Sequence, residues 1–245
     1  MAPSAEFEFA LRLGDNDLVL SQRLGEWCGH GPVLEEDLAL ANIALDLLGQ
    51  ARLWLSLAGE LEGAGRGEDA LAFLRDAGEF RNLLLVEQPN GDYAHTMTRQ
   101  FYFDAWHELL LGALAGHPNA RVAEIAAKAS IEVRYHLRRS RLWVVRLGDG
   151  TAESHRRMQT AADALWPFTG EMFTADPADA AFADLADLRA PWLELVQEAF
   201  MEAGLTLPAD RWMQSGGKQG IHTEKLGTLL AEMQFLQRAY PGAQW

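Results

Sequence analysis

Side chains that can bind metal ions recur at helical spacing in the middle of this 245-residue chain. Gln100, Asp104 and His107 follow one another at steps of four and three residues within a strongly aromatic segment. Glu132 and His136 form a second pair further on. Side chains three or four residues apart share a helix face, and helical bundles build metal sites from carboxylates and imidazoles on their inward faces. The pattern therefore raises the question of a metal centre.

The sequence departs from the ligand pattern of a carboxylate-bridged di-iron centre. Such a centre needs a Glu on each of two helices and a Glu-x-x-His pair on each of the other two. Asp46 is followed three residues later by Gly49, where a histidine is required. The residue three before His136 is Val133, and the acidic Glu132 is displaced by one position. The acids and imidazoles are therefore present in rough number but out of register.

Three interpretations of these residues remain open, and we favour a degenerate site at Asp46, Asp104, His107, Glu132 and His136. In that interpretation Asp104 or Glu132 holds His107 or His136 in a buried network, because an unpaired buried polar group costs roughly 1–3 kcal/mol. The chain then has no catalytic residue and needs no cofactor. An active di-iron centre is the second interpretation. A single metal ion held by Glu132 and His136, four residues apart as in zinc-binding helices, is the third.

Two basic features are candidates for contact with an anion. Lys218 lies in the loop 216–220, rich in glycine and followed by a helical pattern, where free backbone N–H groups attract negative charge. Arg138 belongs to a group of arginines between residues 134 and 146. We favour a flexible turn for the loop and a solvated face for the arginines. His222 and Glu224, just after the loop, are expected to be caps or surface groups.

Composition excludes several classes of partner and compartment. The net charge of −14 argues against nucleic acid and anionic membranes, which need a basic surface. Cys28 is the only cysteine, which rules out an intrachain disulfide or a cysteine zinc site. The first residues lack the order of a signal peptide, and no apolar run approaches the roughly 18 residues of a membrane span. We expect a cytoplasmic protein.

Helical periodicity dominates the chain, and strand signals are nearly absent. The predicted helices lie at 8–27, 34–61, 81–115, 120–147, 151–173, 191–203 and 221–240, the third with an interruption near 89–91 left open. Short turns close the first and second pairs, and a crossover of roughly eighteen residues separates the pairs. Two antiparallel hairpins joined by a long crossover are typical of a ferritin-like four-helix bundle. We predict one all-α domain over 1–245, with the bundle core at about 8–147 and accessory C-terminal helices at about 151–240.

Long blocks of the sequence resemble the C subunits of bacterial phenylacetyl-CoA epoxidases, also called 1,2-phenylacetyl-CoA monooxygenases. The resemblance covers nearly the whole chain. Its blocks are RLGDN at 12–16, LVLSQRLGEWCGH at 18–30, DLALANIALDLLGQAR at 37–52, NLLLVEQPNG at 82–91, DAWH at 104–107, RYHLR at 134–138 and the ending 216–245.

The resemblance implies a ferritin-like component of a multicomponent monooxygenase that epoxidises the ring of phenylacetyl-CoA with O₂ and NADPH. It implies that the di-iron site belongs to the catalytic A subunit, and that the B and D subunits and a reductase complete the system. The C subunit is then a non-catalytic scaffold that stabilises the A subunit, and Lys218 and Arg138 are where contact with CoA is expected. The alternatives are an active di-iron or mononuclear oxygenase, and an unrelated helical interaction module.

Overall fold

A computed structural model of the chain describes residues 4–209 and 212–243. Within these residues the structure is helical and contains no strand, which confirms the predicted all-α class. The helices are α1 (Ala5–Gly25), α2 (Leu34–Glu62), α3 (Glu68–Phe73), α4 (Tyr93–Leu114), α5 (Ala120–Gly148), α6 (Ala152–Leu165), α7 (Arg189–Glu202), α8 (Glu224–Met233) and α9 (Phe235–Ala239). The two long hairpins, α1–α2 and α4–α5, and the crossover between them are consistent with a ferritin-like bundle.

The chain divides into two compact units, one of residues 1–87 and 216–245 and one of residues 88–215. Each unit contains one of the predicted hairpins and part of the accessory structure. That the whole chain forms a single domain stays a prediction.

The first unit is built on the antiparallel hairpin of α1 and α2. A side chain at Gly14 would come within 2.7 Å of Leu55, so the two helices touch closely at this point. Near the other end of the pair, the Ser21 hydroxyl donates to the carbonyl of Ala44 at 2.6 Å. The apolar core of this unit therefore forms along much of the length of the two helices.

The predicted third helix, 81–115, is too long, because α4 begins only at Tyr93. Pro89 cannot donate a backbone hydrogen bond and disfavours helical backbone in the residue before it. Gly91 has a positive φ of 57°. Asp92 then caps α4 by accepting a hydrogen bond from the backbone N–H of His95 at 2.9 Å. The crossover between α2 and α4 therefore spans 63–92 and contains α3, instead of the eighteen residues predicted.

Two buried side chains of α1 hold the crossover in its non-helical path. Asp15 accepts a hydrogen bond from the backbone N–H of Arg81 at 2.8 Å. Asn16 accepts one from the backbone N–H of Leu83 at 2.7 Å. Asp15 also forms an ion pair with Arg75, and both side chains are almost fully buried. The polar residues of α1 therefore pair with the crossover of their own unit.

The second unit is built on the antiparallel hairpin of α4 and α5. The rings of Tyr93, at the start of α4, and Trp143, near the end of α5, meet edge to face with centroids 5.3 Å apart. The accessory helix α7 docks through Trp192, which is buried. Its indole N–H donates to the carbonyl of Tyr102 on α4 at 2.9 Å. Helix α7 therefore belongs to the same core as α4.

Two further predicted helices are shorter than expected. The helix predicted over 151–173 ends at residue 165 and continues as two 3₁₀ turns, since Pro167 cannot extend an α-helix. The helix predicted over 221–240 begins at residue 224, capped by Thr223, and is divided into α8 and α9 at Gln234. The Gln234 amide donates to two carbonyls of the crossover, at 3.0 Å each.

One helix within the described residues, α2, is long and apolar enough to cross a membrane by length and composition alone. The sequence expectation that no segment reaches this threshold is therefore wrong. Core helices of soluble proteins pass the same test, so the feature is weak evidence for a membrane span. Less than half of the apolar window is buried within this chain.

Candidate functional site

The polar stripe on α4 centres on Asp104, whose carboxylate is buried between α4 and α5. The Gln100 amide, one turn earlier, donates to Oδ1 at 2.6 Å. The hydroxyl of Ser140 on α5 donates to Oδ2 at 2.7 Å. Both carboxylate oxygens thus have neutral donors, and the three side chains cross-link the hairpin.

Burial is the largest cause of the pKa shifts of Asp104 and His107. Removal from water raises the pKa of Asp104 to about 6, although the charge of His136, the hydrogen bonds from Ser140 and Gln100 and the charge of Arg139 act in the opposite direction. Desolvation, assisted by the charge of His136, lowers the pKa of His107 to about 3. His107 is therefore neutral at physiological pH, packed with its ring centroid 5.0 Å from that of Phe103.

Of the two described partners of Asp104, Gln100 lies in the stripe that the sequence singles out, whereas Ser140 was not indicated. The prediction paired Asp104 or Glu132 with a histidine. The described hydrogen bonds to Asp104 come from Gln100 and Ser140, and Glu132 is only half-buried. Ser140 looks unremarkable in the sequence. Its spacing of four from His136, matching the Gln100–Asp104 step, is the signal that could have identified it.

The α2 positions of the di-iron pattern do not lie on the buried face of that helix. Asp46 is half-buried and Gly49 is exposed, whereas Leu47 and Gln50 are buried. Within the described residues, no group of three or more His, Cys, Asp or Glu side chains is arranged to hold a metal ion. Because both oxygens of Asp104 are already hydrogen-bonded, the residues present do not fit a di-iron centre.

The two candidate anion contacts have different surroundings. Arg138 is exposed on α5 and lies over the ring of Tyr135, 5.6 Å from its centroid. Lys218 is only 6% exposed. The loop around it is tightly packed, not the flexible turn expected, because a side chain at Gly217 or Gly220 would collide with carbonyls of the crossover. Of the two cations, Arg138 is the more accessible to solvent.

A buried cluster that the sequence did not indicate surrounds Glu87, at the end of the crossover. His222, expected on the surface, has both ring nitrogens next to acceptors: Nδ1 is 2.9 Å from Glu87 Oε2 and Nε2 is 3.0 Å from the carbonyl of Phe80. The backbone N–H of Thr223 donates to Glu87 Oε1 at 2.7 Å. This cluster ties the C-terminal segment to the crossover of the same unit.

The protonated form of the His222 ring fits its position between Glu87 and the carbonyl of Phe80. Burial lowers the pKa of His222, but the hydrogen bonds to Glu87 and to the carbonyl of Phe80, with the charges of Glu87 and Asp15, outweigh it and raise the pKa above its usual value. Only an imidazolium can donate from both nitrogens. The cluster has the character of a buried structural ion pair.

An all-helical chain with two long hairpins and a polar core of this kind is consistent with the ferritin-like class of helical proteins. The family model of phenylacetic acid catabolic proteins matches residues 2–245, and the chain belongs to that family. The chain is 56% identical over 243 residues to the C subunit of the 1,2-phenylacetyl-CoA epoxidase of Escherichia coli (strain K12). That match covers 97% of this chain and 98% of the relative. The resemblance identified from the sequence blocks is therefore confirmed.

Proposed function

We propose that this chain is the C subunit of a phenylacetyl-CoA epoxidase in phenylacetate catabolism, and that it is a non-catalytic scaffold that stabilises the di-iron A subunit. The observation that carries the proposal is the 56% identity to an epoxidase C subunit over 97% of the chain. The B and D subunits and the reductase are its further partners in the complex, which we place in the cytoplasm.

The geometry around Asp104 supports the non-catalytic part of the proposal. A bridging carboxylate must present its oxygens to metal ions, and here they accept hydrogen bonds from Gln100 and Ser140. Glycine stands at position 49 and valine at position 133, where the ferritin-like pattern requires a histidine and a carboxylate. We therefore expect no cofactor in this chain and assign the di-iron centre to the A subunit.

A bundle without metal ligands has a physical role beside a di-iron bundle. A di-iron core buries several carboxylates whose charges are uncompensated until metal is bound. A partner that packs on its outer helices stabilises the apo form while iron is loaded. Buried charges of this chain have partners within it, as Asp15 has Arg75 and Glu87 has His222. We therefore expect its own folding not to depend on iron.

The alternative is an oxygenase active in its own right, with metal at Glu132 and His136. The four-residue spacing on α5 supports this alternative, but Glu132 is half-buried whereas His136 is fully buried. The alternative predicts that this chain, expressed alone, retains a stoichiometric metal ion and loses it when either residue is changed.

The test is metal analysis and ring oxidation of phenylacetyl-CoA, measured with the reductase present for this chain alone, for the isolated A subunit, and for both together. We expect no stoichiometric iron and no turnover from this chain alone, and both from the joint complex. In that complex, Glu132→Gln and His136→Ala in this chain should leave iron content unchanged. About two irons bound to this chain alone would overturn the proposal, as would full stability and activity of the A subunit without it.

A further inference from the structure

The outer face of α2 has leucines at the spacing of a helix–helix contact. Leu34, Leu38, Ala41, Leu45 and Leu48 follow one another at alternating steps of four and three residues, the repeat of coiled-coil seams. The four leucines are 70%, 55%, 65% and 45% exposed. Single exposed apolar residues are ordinary, but a contiguous row of them marks an interaction surface. We name this row the α2 leucine seam.

Gly49 lies beside the α2 leucine seam and has no evident packing role within this chain. It is exposed in the interior of a long helix, and a side chain added there would meet nothing within 4 Å. Glycine is less favourable than alanine in a helix interior. The absence of a side chain is useful where another backbone must approach closely.

A groove adjoins the same part of the helix. It has a volume of about 620 Å³ and lies between α2 and α3. Its lining includes Leu45, Leu48 and Gly49 from α2, and Ala72 and Phe73 from α3. A row of projecting side chains next to a recess is the geometry by which helices interlock.

The charges around the α2 leucine seam define the chemistry of its partner. Acidic side chains accompany the seam, at Glu35, Glu36, Asp37 and Asp46. Arg52, which lines the groove, forms an ion pair with Glu68 at 3.5 Å. The complementary surface is a helix with apolar seam residues flanked by lysine or arginine.

A second copy of this chain does not supply that surface, because its own α2 leucine seam carries the same acidic side chains and no basic ones. Its basic helix, α5, has a row with the same spacing, formed by Lys128, Ile131, Tyr135, Arg138 and Leu142. Two of these five positions are cations. Docked on the α2 leucine seam they would face leucines without a carboxylate partner, which is costly. The fitting occupant is a different chain.

We propose that the α2 leucine seam, with Gly49 and the adjoining groove, is the surface on which the di-iron A subunit docks, through a helix whose apolar seam is flanked by basic residues. The inference rests on the proposed function, which makes this chain part of the epoxidase. It adds the face of the chain that makes the contact.

The first test is co-purification of the full-length chain with the A subunit when the two are co-expressed. Leu45→Arg puts a charge in the middle of the seam, and Ile131→Arg, at an equally exposed position on α5, is the matched control. We expect Leu45→Arg to weaken the affinity for the A subunit at least 100-fold and Ile131→Arg to leave it unchanged, with both variants folded as judged by circular dichroism. Binding of the Leu45→Arg variant at the wild-type level would overturn the proposal.

A second pair of variants separates docking from folding. Gly49→Ala should raise the melting temperature of the isolated chain and weaken binding of the A subunit at least tenfold. Gly112→Ala, at an exposed glycine of α4 whose side chain would also meet nothing, should raise the melting temperature without changing binding. Unchanged binding by Gly49→Ala would show that no backbone approaches there and would contradict the proposal.

Two other outcomes are distinguishable from these. If the wild-type chain does not associate with the A subunit, the proposed function itself fails. If the isolated chain is a dimer that Leu45→Arg converts to a monomer while binding of the A subunit is unaffected, the seam is occupied by a second copy and the docking proposal is wrong. Sedimentation velocity of the isolated chain measures this directly.

Discussion

Replacement of Asp104 by asparagine tests whether this carboxylate is a structural residue. The pKa of Asp104 is raised from 3.8 to about 6. Each pKa unit corresponds to about 1.4 kcal/mol, so ionising the buried group lowers the stability of the folded chain by about 3 kcal/mol relative to the protonated form. Because the folded pKa is the higher one, stability is fully present below pH 3.8 and is lost as the pH rises through about 6.

The asparagine variant removes this pH dependence without leaving a polar group unpaired. The asparagine oxygen can accept from the Gln100 amide in place of Oδ1. The new amide can donate to Ser140 Oγ, whose hydroxyl then donates to the carbonyl of Leu137, 3.3 Å away. Asp104→Asn should therefore be at least as stable as the wild type at pH 7.5.

The assay is urea unfolding of both proteins at several pH values, with Glu198→Gln, an exposed carboxylate on α7, as the control. The free energy of unfolding of wild type minus variant should fall by about 2 kcal/mol between pH 4.5 and 7.5 for Asp104→Asn. For the control the difference should stay within about 0.5 kcal/mol. A difference for Asp104→Asn that does not change with pH would refute the reasoning, and loss of complex activity in this variant would show a role beyond structure.

Three further changes test other contacts. The free energy of unfolding of the wild type should exceed that of His222→Gln, and this difference should shrink above pH 6.5 by at most about 1.4 kcal/mol per pH unit. The reason is that a raised histidine pKa stabilises the fold only while the ring is protonated. Urea unfolding of both proteins at pH 6 and 8.5 measures the difference. Asp15→Asn should destabilise the chain by about 3–5 kcal/mol, since it leaves the Arg75 charge buried without its partner; a loss below about 1 kcal/mol in urea unfolding would contradict this. Gly217→Ala should lower the melting temperature because its side chain would meet a crossover carbonyl, whereas Gly227→Ala, in open space, should not.

Helical periodicity predicts the two hairpins well, because each long helix buries a continuous apolar stripe. It fails at 81–92, where the composition is compatible with a helix. The path there is decided by Asp15 and Asn16, which bind the backbone N–H groups of Arg81 and Leu83. Contacts between residues more than sixty positions apart leave no periodic signal, so the break appears only in the folded chain.

The same limit applies to the polar residues. The stripe at Gln100 and Asp104 is visible because its members lie on one helix. Ser140 and His222 looked like ordinary helix or surface residues, because their partners, Asp104 and Glu87, lie on other elements. The family resemblance identified the chain, but the partners of each buried polar group had to come from the structure.

The buried carboxylate of Asp104 is stabilised differently from the carboxylates of a di-iron core. Buried carboxylates that wait for metal repel one another, whereas here both oxygens of the Asp104 carboxylate accept hydrogen bonds, from the Gln100 amide and the Ser140 hydroxyl. We therefore expect the fold to form without iron. If the proposed function holds, the chain can present the α2 leucine seam to an apo partner at full affinity, so complex assembly should precede metal loading and should be insensitive to chelators.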